Sequence, residues 1–123
     1  MERITVSSSL KYKEVVREAI GKLQDLGIVA LFPNLDSGIK KEDVTLEQIK
    51  LIEYAHFAAI DESEGQYVIC PEGHVGTLVS VEIGYAKAQD KPIFFSEEPE
   101  DLGLKAMVTK IIPLDRLEDF KEI

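Results

Sequence analysis

The chain has 123 residues, of which 45% are hydrophobic and 30% charged. This composition suits a single domain over residues 1–123 and argues against intrinsic disorder. The net charge of -9 disfavours a partner made of polymeric DNA or RNA, and the lone Cys70 and two histidines disfavour a disulfide framework or a metal cluster. Because no apolar run is long enough to cross a bilayer, we expect no membrane partner, and the single cysteine fits a reducing cytoplasm.

The hydrophobic pattern predicts strands that alternate with helices. Strands are predicted over 3–7, 28–32, 66–70, 92–95 and 111–112, helices over 11–26, 45 to about 60, 77–89 and 102–107, and a weakly helical tail over 114–123. Gly27 ends the first helix, and Thr45 with Gln48 has the spacing of a capping box that starts the second.

This alternation predicts an α/β fold, a flavodoxin-like or Rossmann-like three-layer sandwich with a parallel five-stranded sheet. In such sheets ligands bind in a crevice beyond the carboxyl ends of the strands. The loops over 7–11, 33–38 and 70–77 are expected to meet there.

Glu82 is difficult to explain as an ordinary surface acid. It borders the inward stripe of the third helix, formed by Val79, Ile83 and Ala86, and it lies near the start of that helix beside the expected crevice. A carboxylate on a buried face is costly unless it is paired or functional. The structural alternative is an acid that favours a helix N-terminus, with Tyr85 as its hydrogen-bond donor.

Glycines surround this position. Gly73 and Gly76 flank His74 in the preceding loop, an arrangement that exposes backbone N–H groups to a ligand, although an ordinary turn explains it too. Gly84 lies inside the helix, where glycine costs about 1 kcal/mol relative to alanine. We interpret it as allowing the helix to approach the sheet closely.

Four stretches of the chain form one pattern: an acid before the third strand, a glycine-containing loop, a Glu-Ile-Gly-Tyr-Ala helix and a Lys-Pro strand. They are Glu64-Gly65-Gln66-Tyr67-Val68-Ile69, the loop from Gly73 to Gly76, Val81-Glu82-Ile83-Gly84-Tyr85-Ala86-Lys87-Ala88 and Lys91-Pro92-Ile93. Together they resemble the nucleoside 2-deoxyribosyltransferase family, with its related deoxynucleoside monophosphate N-glycosidases, over residues 3 to about 95.

The resemblance implies cleavage of the N-glycosidic bond of a 2′-deoxynucleoside or its 5′-monophosphate, with no cofactor. The family's nucleophilic glutamate falls on Glu82, which would form a glycosyl-enzyme ester before transfer to another base or to water. The departing base needs a proton. The family's conserved acid falls on Glu64, with Asp61 as the alternative. A homodimer or larger homo-oligomer is also implied.

The predicted substrate contacts lie on two loops and the third helix. Ser7, Ser8, Ser9 and Lys11 follow the first strand, where hydroxyls, backbone N–H groups and a cation suit a 5′-phosphate, although singly Ser9 fits a helix cap and Lys11 a solvated side chain. The other predicted contacts are Gly73, His74, Gly76, Thr77 and Tyr85. Gly76 stands where family transferases often place the aspartate that grips the sugar, so His74, Thr77 or Ser80 takes that role, or none does.

Two other functions fit the same pattern. One is a non-catalytic nucleotide-binding or sensing module that kept the pocket and lost the chemistry. The other is a flavodoxin-type FMN carrier, which the size and acidity fit, although the chain has no Trp to pack against a flavin. His56 is interpreted as a packed or surface histidine and Cys70 as a small apolar filler.

Overall fold

A parallel sheet of five strands, in the order β2-β1-β3-β4-β5, forms the centre of the protein. The computed structural model describes residues 1–123 except for the side chain of Lys41. The strands are β1 (Arg3–Ser7), β2 (Val29–Leu31), β3 (Gly65–Val68), β4 (Ile93–Phe95) and β5 (Lys110–Ile111). The helices are α1 (Lys13–Asp25), α2 (Leu46–Glu62), α3 (Thr77–Ala88) and α4 (Leu102–Lys105). The predicted α/β sandwich is therefore confirmed.

Side chains that alternate along the strands build one hydrophobic core on each face of the sheet. On the first face, Val16 and Leu23 of α1 pack with Phe120 of the C-terminal 3-10 segment, Leu114–Glu122. On the second face, Ile60 of α2 packs with Ile83 of α3. Helices thus cover both faces, as a parallel sheet requires.

The predicted helix boundaries depend on local hydrogen bonds that the structure contains. Thr45 Oγ1 accepts a hydrogen bond from the Gln48 backbone N–H at 3.2 Å, and Gln48 Oε1 accepts one from the Thr45 N–H at 2.9 Å. The capping box is therefore confirmed. Gly27 follows α1 with a φ of +82°, the left-handed conformation that ends a helix. The α1 helix itself begins later than predicted, because Leu10–Tyr12 forms a 3-10 turn.

The interpretation of Gly84 is wrong. This residue faces away from the sheet, and a Cβ atom placed on it would meet nothing within 4 Å. Gly73 is the glycine that close packing requires, because its φ is +77° and a Cβ atom there would lie 2.9 Å from the carbonyl oxygen of Glu98.

None of the helices that the structure describes combines the length and the apolar character needed to cross a membrane.

Candidate active site

A cavity of about 380 Å³ opens at the carboxyl edge of the sheet. Its walls are residues 8–10 after β1, residues 32–34 after β2, Val44, one face of α2 between residues 49 and 56, residues 76–79 and Glu82. Because β1 lies between β2 and β3, the chain leaves β1 and β3 in opposite directions here, and such a switch point is where parallel sheets bind ligands. Each of the three loops expected at the crevice contributes to it.

Two carboxyl groups supply the ionisable acids of the cavity wall. Glu82 of α3 is 4% exposed and Glu53 of α2 is 9% exposed. No Lys or Arg belongs to the wall among the side chains that the structure describes. The two acids therefore lie in an otherwise mostly apolar cavity without a cation to balance them.

The two carboxyl groups interact with each other, and a hydrogen bond between them is one of the causes that shift their pKa values. Burial, followed by this bond and the charge of Glu53, raises the pKa of Glu82 to about 9. Burial also raises the pKa of Glu53. Because two buried carboxylates in contact repel each other, the pair retains one proton at neutral pH.

A chain of three polar side chains lies behind Glu82. The Gln66 amide donates to Ser7 Oγ at 2.9 Å, and Ser7 Oγ lies 3.0 Å from His56 Nε2. Ser7 and Gln66 are fully buried, and the Ser7 hydroxyl also contacts the Glu82 carboxyl. Burial lowers the pKa of His56 to about 4, so its ring is neutral at neutral pH. The neutral ring contacts Ser7 and lies beside Glu82 without adding charge.

Oxygens of both acids lack a hydrogen-bond partner. His56 Nε2 lies 3.1 Å from Glu82 Oε1, but this nitrogen is directed at Ser7, so Oε1 has no partner among the described residues. Glu53 Oε2 and Gln66 Oε1 are also buried and also have no hydrogen-bond partner among the described residues. Buried polar atoms without partners are rare in folded proteins, and a ligand in the adjoining cavity is one explanation for them.

The structure does not bring Glu64 or Asp61 to this cavity. Glu64 precedes β3 at the amino edge of the sheet, where its exposed carboxylate accepts hydrogen bonds from the Glu2 and Arg3 backbone N–H groups, and these bonds lower its pKa. Asp61 is exposed near the end of α2 and accepts hydrogen bonds from Tyr85 and Gln89. The structure therefore does not support Glu64 or Asp61 as the acid that protonates the base, because neither side chain reaches the cavity.

The predicted substrate contacts divide into three groups. Ser8, Ser9, Gly76 and Thr77 line the cavity, and Ser7 lies directly behind it. The others lie outside its wall: Lys11, Gly73, His74 and Tyr85. Each of these has another environment, since Lys11 stacks on the Tyr12 ring, Gly73 packs on the loop after β4, His74 is exposed, and Tyr85 contacts Asp61 and the Phe57 ring.

The sequence interpretation missed Glu53, His56 and Gln66. Glu53 and His56 follow Ile49 at the spacing of one helix face, which was the available signal. From the sequence, His56 is interpreted only as a packed or surface histidine, and Glu53 is assigned no role.

No protein-family model and no curated protein matches the chain. Its fold is similar to two solved structures. One is a 2-deoxyribosyltransferase from the psychrotolerant bacterium Bacillus psychrosaccharolyticus, with a TM-score of 0.65 and 16% identity over 98% of this chain and 91% of that one. The other is a conserved protein from Enterococcus faecalis V583, with a TM-score of 0.61 and 15% identity over 98% of this chain and 99% of that one. The fold resemblance predicted from the sequence is therefore confirmed.

Proposed function

We propose that this chain cleaves the N-glycosidic bond of a 2′-deoxynucleoside, with Glu82 as the nucleophile. The observation that supports this most directly is a buried carboxyl group with an unpartnered oxygen in the cavity at the switch point of the sheet. The fold similarity to a 2-deoxyribosyltransferase supports the same assignment.

The proposed reaction proceeds in two steps. The ionised Glu82 carboxylate attacks C1′ of the sugar as the bond to the base breaks, which gives a glycosyl ester and a free base. Water or a second base then attacks the same carbon, releases the ester and restores Glu82. Ser7 and His56, at hydrogen-bond distance from each other, lie beside the Glu82 carboxylate and limit the directions in which it can turn.

The charge of the site favours an unphosphorylated substrate. A 5′-phosphate would enter a cavity whose described wall carries two acids and no Lys or Arg, on a chain of net charge -9. Lys11, the cation expected to hold a phosphate, is exposed and stacked on Tyr12. We therefore propose the free 2′-deoxynucleoside as the substrate.

The test is release of free base from 2′-deoxynucleosides and from their 5′-monophosphates, each with and without an acceptor base, followed by chromatography. We expect turnover of the nucleosides and a loss of about 1,000-fold or more in Glu82→Gln, because the nucleophile itself is removed. Glu47→Gln is the matched control, since Glu47 is exposed at the start of α2, pairs with Lys50 and does not line the cavity.

Wild-type activity that persists in Glu82→Gln would refute the assigned nucleophile. Tight binding of a deoxynucleoside without any release of base would instead favour the sensing module. Release from monophosphates alone would refute the proposed substrate.

A further inference from the structure

We propose that Glu53 is the catalytic acid that protonates the departing base, and that it receives this proton directly from Glu82. This inference rests on the proposed function. It places a proton donor inside the cavity, which neither Glu64 nor Asp61 lines. One proton transfer from Glu82 to Glu53 would then both activate the nucleophile and prepare the acid for the leaving group.

The first argument is position. Glu53 of α2 and Glu82 of α3 line the same cavity, both side chains are more than nine-tenths buried, and the two carboxyl groups interact with each other. Glu53 Oε2 has no partner among the described residues, although it is as buried as any core atom. A hydrogen-bond acceptor on a bound ligand is the partner that a protonated carboxyl at this place requires.

The second argument is an asymmetry between the acids. Glu82 has two polar neighbours besides Glu53: the Ser7 hydroxyl contacts it, and His56 Nε2 lies 3.1 Å from its Oε1. For Glu53, the side-chain contact that affects its pKa is the one with Glu82. The groups that face the pair from β1 and β3 are the uncharged Ser7 and Gln66, and from α2 the neutral His56. The Ser7 hydroxyl favours an ionised Glu82, and a base that accepts a hydrogen bond from Glu53 favours a protonated Glu53, so the proton passes to Glu53 when the base binds.

The step balances as follows. The Glu82 carboxyl releases its proton along the shared hydrogen bond to the Glu53 carboxylate, which becomes neutral. The Glu82 oxygen then forms a bond to C1′ while the C1′–N bond breaks. The electron pair of the broken bond leaves with the base. Glu53 donates the proton to that nitrogen or to a conjugated acceptor atom of the base. Water entering in the second step returns one proton to the pair.

The test compares two substrates in Glu53→Gln. One is the 2′-deoxynucleoside with the highest turnover, whose base leaves only with a proton. The other is its counterpart methylated at a ring nitrogen, whose base is already cationic and needs none. We expect kcat/KM to fall about 100-fold or more for the first and less than about tenfold for the second, because general acid catalysis contributes roughly 100- to 10,000-fold.

Equal losses on both substrates, or no loss on either, would overturn the role of Glu53. Glu82→Gln separates this outcome from a failure of the proposed function, because it is expected to abolish turnover of both substrates. Glu53→Asp is expected to recover part of the lost activity on the unmodified nucleoside, and Glu47→Gln on the exposed face of the same helix to match the wild type. Thermal unfolding of each variant confirms that it is folded.

Discussion

Burial of Glu82 costs folding free energy that an uncharged side chain would not. The pKa of this acid rises from an ordinary value of 4.5 to about 9 in the folded protein, because of burial and of Glu53. The folded state therefore holds a proton that the unfolded chain releases above about pH 4.5. The free energy of unfolding should fall as the pH rises through this window toward about 9, by up to about 1.4 kcal/mol per pH unit.

Glu82→Gln is therefore expected to stabilise the protein while it removes activity. We expect the free energy of unfolding near pH 8 to rise by roughly 1–2 kcal/mol, and its decline between about pH 5 and pH 9 to become shallower. Urea unfolding of both proteins across this range measures the effect. A variant less stable than the wild type near pH 8 would show that the carboxylate is a structural anion.

The sequence singled out Glu82 because it borders the apolar stripe of α3 and because the Glu-Ile-Gly-Tyr-Ala motif falls on it. Glu53 and His56 lie on the buried face of α2, where no such motif points to them. This helix also carries Leu51 and Tyr54 on its outer face, 70% and 68% exposed, so apolar residues surround it and the phase of the buried face is ambiguous. Leu78 and Val81 are exposed on α3 in the same way, so residue spacing alone is ambiguous for both helices and the motif decided the choice of Glu82.

The direction of the elements explains why one predicted acid was misplaced. Glu64 precedes β3, and four residues of parallel strand, about 13 Å, separate it from the carboxyl edge where the cavity lies. The α2 helix runs the opposite way and carries Glu53 and His56 past that edge. Resemblance of sequence motifs located the acid in the chain, but strand polarity decides which end of the sheet it occupies.

The outward position of Gly84 has an energetic consequence. Because open space surrounds it within a regular helix, Gly84→Ala is expected to raise the free energy of unfolding by about 0.5–1 kcal/mol. Gly73→Ala is the contrasting variant and should destabilise the protein, since its φ is +77° and its Cβ would meet the Glu98 carbonyl. Urea unfolding of both variants tests the pair, and a destabilising Gly84→Ala would contradict this packing.

At the scale of the whole molecule, the alternation of strands and helices was sufficient to predict the sheet, its parallel strands and the edge that holds the cavity. It could not predict contacts between distant residues. The hydrogen bonds of Ser7 to His56 and to Gln66 join positions 49 and 59 residues apart, and only the folded sheet brings them together. The homo-oligomer implied by the family resemblance stays a prediction.

Identification of the residue that becomes bonded to the sugar tests the central claim most directly. The wild type is incubated with a 2′-deoxynucleoside without acceptor base, quenched in acid during turnover, digested and analysed by mass spectrometry. We predict one added deoxyribosyl unit on Glu82, and none in Glu82→Gln. Release of base with an adduct on another residue, or with no adduct at all, would contradict the account.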